Sequence, residues 1–324
     1  MLIRFCLYGF FKNQKYYEPF LILAFLEKGL SFFDIGLLIA FREVAINLFE
    51  LPSGAAADLY GRRRSMIFSF AAYLISFAIF ASSTVLWTLF AAMWFFALGE
   101  AFRSGTHKAM ILDWLVLQGR ADEKAEIYGT TRSWSQIGSA VSVLIAALIV
   151  LFDGSYTQVF WYSMLPYGLG LINFFGYPPT LDGERRTDVS LREIGRHLVA
   201  AVKQCLQRPP LRRLLIESTL TKGTYKTVKD YLQPVLQQAA LLLPFLVAME
   251  EKGRAALLVG AVYFGLYLLS ALASRQAYRV RDLAGGAGAA ALAISALMVM
   301  AYLGLILAFL GDWAPLVIGL FVGL

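Results

Sequence analysis

The sequence predicts an all-α membrane protein, a bundle of transmembrane helices with a six-span first half and an incomplete second half. Three observations predict it. The 324 residues are 59% hydrophobic and 16% charged, with a mean hydropathy of +0.63, whereas an ordinary globular domain carries about a quarter charged residues. Apolar stretches near the ~20 residues that a ~30 Å hydrocarbon core demands recur along the chain. The basic residues sit mostly between those stretches and on one side. Arg4, Arg62 to Arg64, Arg120, Lys124, the Arg185 to Arg213 region, Arg275, Arg279 and Arg281 fall there, against mainly Lys28, Lys252 and Arg254 on the other. The positive-inside rule makes the first side cytoplasmic, and the N-terminus with it.

Nine complete spans are expected, at approximately 3–27, 32–57, 66–85, 87–117, 128–151, 158–176, 211–240, 255–274 and 284–310. A tenth opens near Trp313 and the sequence stops within it, at Leu324. The first stretch is a span and not a secretion signal, because Lys12, Asn13, Gln14 and Lys15 interrupt it at once. Pro178 and Pro179 stop the sixth span. The organisation is therefore a first transmembrane half at 1–176, a cytoplasmic loop at 177–210 and a partial second half at 211–324. Within the loop, Ser190 and Glu193 have capping-box spacing, and Leu191, Ile194, Leu198, Val202 and Cys205 recur on one helical face. That pattern predicts an amphipathic helix on the cytoplasmic surface. Cys6 and Cys205 are expected to be reduced thiols.

Between the second and third spans lies the run Gly54-Ala55-Ala56-Ala57-Asp58-Leu59-Tyr60-Gly61-Arg62-Arg63-Arg64. Gly61 permits a conformation most residues resist, Asp58 can accept from amides and pair with an arginine, and the arginines anchor at an anionic leaflet. A positive-inside turn alone would not require Gly54 and Asp58 at this spacing. With the six-span half and the long central loop, Gly54, Asp58, Gly61, Arg62 and Arg63 resemble the signature of the major facilitator superfamily of secondary transporters. Leu59 departs from the basic residue often found there. The resemblance implies alternating access around a central cavity, with Asp113 as the acidic partner of the turn. An Arg62 to Asp113 bond would then latch the cytoplasmic mouth. The family usually has twelve spans, so a longer native product or a partner chain is expected.

Charged residues occur in spans one, two, four, five and seven, and essentially none in three, six and nine. Charges inside a span are expensive and face a bundle interior or a watery cavity. In the family's architecture the first, fourth and seventh spans line the cavity. Spans one and seven also share a pattern, Lys12 to Tyr17 and Lys226 to Tyr231 both reading Lys-x-x-Lys-x-Tyr. The candidate substrate-binding groups are Lys15, Arg103, Lys226 and Lys229, for an anionic or zwitterionic solute. The candidate proton-exchanging groups are Glu43, Glu100 and Asp230. The structural alternative is mutual neutralisation, as in Lys226 with Asp230 or Arg103 with Glu100. Lys12, Lys108 and Arg132 lie toward the cytoplasmic ends, where snorkelling explains them.

Two histidines and two cysteines at unrelated positions make no metal site, and no cofactor, nucleic-acid stripe or catalytic motif is recognisable. No enzyme activity is expected. The partners implied are the lipid bilayer, a small solute, and protons or another coupling ion, with the inner (plasma) membrane of a bacterium as the location. The competing readings are a proton-driven multidrug antiporter and a non-transporting sensor or scaffold. The fifth span reads Gln136-Ile137-Gly138-Ser139-Ala140, without the proline of the family's antiporter signature, which lowers the first.

Overall fold

The computed structural model describes residues 1–182, 207–210, 212–213, 230–240 and 249–283, with short helical stretches between 292 and 307. Among the described residues every regular element is helical. They are α1 (Leu2–Phe11), α2 (Leu21–Glu27), α3 (Phe32–Tyr60), α4 (Arg62–Ser82), α5 (Leu86–Arg103), α6 (Thr106–Leu117), α7 (Lys124–Asp153), α8 (Gln158–Phe175) and α9 (Glu251–Leu283). By length and composition α4, the stretch Ala121–Asp153 containing α7, and Glu251–Leu269 within α9 can each cross a membrane. The amphipathic loop helix, Cys205, Lys226 and Lys229 lie outside the described residues.

The chain forms two compact units, Met1–Tyr17 with Ala24–Ser142 and Thr157–Arg212, and Glu18–Leu23 with Val143–Tyr156 and Arg213–Leu324. In the first unit α4 is central, packing on α5, α8 and α3. Its rings supply the core. Phe70, Tyr73 and Phe77 meet Tyr167 of α8 at centroid separations of 5.6, 4.9 and 4.9 Å, and Tyr73 meets Phe96 of α5 edge-on at 5.2 Å. The opposite face of α8 exposes Trp161, Leu165, Leu169 and Ile172, a helical apolar stripe suited to lipid. Between α6 and α7, Arg120 donates to Glu123 through Nε (2.7 Å) and Nη2 (2.5 Å). Those bonds hold the Glu123 carboxyl below the usual carboxylate range.

The first span is not the continuous helix its apolar run suggests. Pro19 has no N–H and its ring clashes with a carbonyl four residues back, at Lys15. The helix ends at Phe11, residues 12–13 and 16–17 form turns around an irregular 14–15, and a 3₁₀ turn at Glu18–Phe20 leads into α2. Lys12 and Lys15 therefore do not share a helix face. Backbone groups freed inside a bilayer must find partners in the protein. The Lys12, Asn13 and Gln14 amides donate back to Tyr8, Phe10 and Phe11, Asn13 Nδ2 donates to the Gly9 carbonyl (2.7 Å), and Gln14 Nε2 to that of Gly138 (3.0 Å).

In the second unit a single side chain serves the same purpose. Gln233, fully buried, accepts from the Ile22 amide through Oε1 (2.9 Å) and donates to the Glu18 carbonyl through Nε2 (2.8 Å). Gln233→Leu strands both backbone groups and is expected to destabilise the protein by about 2 kcal/mol. A fall in the thermal unfolding midpoint in detergent, beside an unchanged exposed Gln238→Leu control, checks this. Within the same unit, small residues let α9 approach the end of α7. A Cβ on Gly260 would stand 2.7 Å from Ala147 Cβ. α9 is also longer than the expected 255–274 span, because no glycine or proline stops it between Leu266 and Ala284.

The fourth span is broken too. α5 ends at Arg103, Gly105 takes φ +72°, and α6 restarts at Thr106 with no side-chain cap. Glu100 and Arg103 thus share one helix, and His107 belongs to the next.

Candidate functional site

The basic turn joins α3 and α4 through Gly61, whose φ of +101° favours glycine. Arg62 Nη1 donates to the Asp113 carboxylate on α6, and Nη2 lies 3.6 Å from Asp58. Arg63 donates to the last carbonyls of α8, Nε to Phe174 (3.0 Å) and Nη2 to Phe175 (3.1 Å), a favourable place for a cation at a helix C-terminus. Gly54 is exposed within α3, with nothing within 4 Å of where a side chain would stand. Asp182, buried and unremarked in the sequence, completes the turn. Its Oδ1 accepts the Arg63 amide at 3.0 Å, so a carboxylate caps the first turn of α4. The available signal was an acidic residue four positions after Pro178, at the end of a span.

A cavity of about 460 Å³ opens in the first unit between α1, the α5–α6 break and α7, within the size range of small-molecule sites. Lys12, Arg103, Lys108 and Arg132 line it, with no carboxylate among its lining residues. Asn13, Ser104, Thr131, Ser135, Gln136 and Ser139 add neutral polar groups, and Tyr8, Tyr128 and His107 add aromatic surface. Glycines on α1 and α7 bring these walls together. A Cβ at Gly9 would stand 2.8 Å from the Thr131 carbonyl, and one at Gly138 2.7 Å from the Phe10 carbonyl. The Lys12 ammonium lies 5.3 Å from the Tyr8 ring centroid, and that of Lys108 5.3 Å from that of Tyr128. His107 stacks on Tyr8 (3.7 Å, 22°), with Nε2 3.1 Å from Tyr177 Oη.

Glu100 stands behind this wall. Arg103 Nη2 and Tyr73 Oη both donate to its carboxylate, and Arg103 Nε lies 3.3 Å from Tyr73 Oη. Glu43 accepts from Arg42 at 2.9 Å. Lys15, Glu43 and Glu100 are not among the lining residues. Asp230 is buried in the second unit. The structure thus brings together Arg62 with Asp113 and Glu100 with Arg103. It adds Lys12, Lys108 and Arg132 to the cavity with Arg103.

The family model for the Major Facilitator Superfamily matches residues 1–324. The chain belongs to this superfamily. It is accordingly an integral, multi-pass membrane protein of a transporter family. A relative from Bacillus subtilis (strain 168), the "Uncharacterized MFS-type transporter YxaM", is 24% identical over 232 residues, 68% of this chain and 54% of the relative. The chain thus spans about half the length of that relative. Among solved structures, a POT family transporter in complex with 5-aminolevulinic acid matches with a TM-score of 0.65 at 15% identity, covering 99% of this chain and 80% of that one. The nucleoside transporter NupG matches with a TM-score of 0.64 at 14% identity, covering 99% and 76%. At these identities the structural likeness shows the fold, an all-α superfamily bundle.

Proposed function

We propose that this superfamily member is a secondary transporter that moves a small anionic or zwitterionic solute by alternating access, coupled to protons. The observation that carries this reading is the cavity, where four cationic side chains converge with no carboxylate among the lining residues. Like charges gathered around one cavity repel one another unless a counter-charge is supplied. A negatively charged solute supplies it. The reading keeps Lys15, Lys226 and Lys229 as further substrate-attracting groups. Glu100 is the first candidate for proton exchange, because its protonation would weaken its hold on Arg103. Glu43 and Asp230 follow. The Arg62 to Asp113 pair serves as a gate on the cytoplasmic side, with the N-terminus on that same side of a bacterial inner membrane.

Proteoliposomes bearing the full-length gene product test this with small organic anions, zwitterions and cationic dyes, with and without an imposed pH gradient. Gradient-dependent anion or zwitterion movement, lost in Arg103→Gln, is the expected result. Dye movement indifferent to Arg103 would establish multidrug antiport instead, and no movement of any solute would favour a scaffold. Asp113→Asn is expected to shift the protein between its two access states, read as altered labelling of cysteines placed at either mouth. An unchanged distribution would remove the gating role.

A further inference from the structure

Resting on that reading, we infer that the solute is a doubly charged oxyanion, with a phosphate monoester group as its head. The inference comes from charge balance inside the cavity. Of its four cations, Arg103 is already matched by Glu100, whose carboxylate also accepts from Tyr73. Lys12, Lys108 and Arg132 make no ion pair with a carboxylate among the described residues. Two of these lie over an aromatic face, Lys12 on Tyr8 and Lys108 on Tyr128, which attracts a cation far less than a full counter-ion does. At least two positive charges, those of Lys108 and Arg132, therefore remain after the internal pair is counted, with Lys12 beside them. A single negative charge leaves half or more of that excess; a head near −2 offsets most of it.

The arrangement also favours a compact head over two separated carboxylates. Ser104, Gly105, His107 and Lys108 are consecutive or nearly so at the start of α6, and all line the cavity. That helix begins without a side-chain cap, so its positive end adds to the lysine and arginine charges at one place. Lys12 enters from the end of α1 and Arg132 from α7. Arginine and lysine around one tetrahedral oxyanion give charge-assisted bonds on several sides.

The test uses the full-length protein in detergent and three probes of one body size: phenyl phosphate, benzenesulfonate and phthalate. Binding is measured by calorimetry at pH 7.5 and pH 5. Phenyl phosphate is expected to bind at least tenfold more tightly than benzenesulfonate at pH 7.5. It should weaken about tenfold at pH 5, because a phosphate monoester takes up a proton near pH 6. Benzenesulfonate stays singly charged at both values and controls for any effect of pH on the protein itself. Lys108→Gln and Arg132→Gln should each weaken phenyl phosphate at least tenfold and change benzenesulfonate less. Equal binding of phenyl phosphate and benzenesulfonate would overturn the double charge and leave the anion reading intact. Phthalate binding more tightly than phenyl phosphate would overturn the compact head. Failure of all three to bind, with cationic dyes bound instead, would overturn the anion reading itself.

Discussion

Glu100→Gln is expected to slow solute movement at least tenfold, to abolish its dependence on a pH gradient and to lower the unfolding midpoint. Arg103 is 17% exposed and takes its charge partner from Glu100. Removing one partner of a buried pair costs about 3–5 kcal/mol, because the surviving charge is stranded; for a partly exposed guanidinium beside an open cavity about 2 kcal/mol is the more appropriate figure. Changing Arg103 to glutamine as well removes the stranded charge. Stability should therefore recover in the double variant, while transport, which needs the guanidinium at the cavity wall, should not. A double-mutant cycle in unfolding midpoint and in transport rate separates the two roles. Additive losses of stability would show that the pair does not act as a unit. Retained gradient dependence in Glu100→Gln would move the proton to Glu43 or Asp230.

Gly61→Ala is the second change with a large expected effect. A φ of +101° strains any residue with a side chain, at roughly 1–3 kcal/mol. A Cβ would also stand 2.5 Å from Asp182 Oδ1 and 2.6 Å from its Cγ, forcing Asp182 away from the Arg63 amide. A loss of at least about 2 kcal/mol follows. It should appear as a lower unfolding midpoint and poorer yield of folded protein. Asp182→Ala in the same background relieves the clash but not the backbone strain, so the double variant should recover only part. Full recovery would mean that the conformation itself carries no strain.

Much of this was legible in the sequence, and the limits have physical causes. Hydropathy reports depth in a bilayer, so the helices appeared near their expected positions. The basic turn could be read because its glycine and charges are local. The two breaks left signals of their own, Pro19 in the first span and Ser104-Gly105 in the fourth. An unbroken apolar run nevertheless reads as one helix, and a break resets the angular register of everything after it. Lys108 follows such a break, and with Lys12 and Arg132, all read as snorkelling to the interface, it lines the cavity beside Arg103. Asp182 and Gln233 could not be singled out, because the backbone groups they bind lie 119 and 211 to 215 residues away.

The Asp182 cap also has a consequence for biosynthesis. At about 5–20 residues per second, a ribosome delivers Asp182 about 6–24 s after Arg63. For that interval the turn has its glycine and arginines but neither its acidic cap nor the α8 carbonyls that Arg63 will bind. Helix α4 must therefore be inserted before its cap exists, and the turn is complete only when α8 has followed. A released chain that ends before Pro178 should accordingly leave this turn open to protease, and one that ends a few residues past Asp182 should close it.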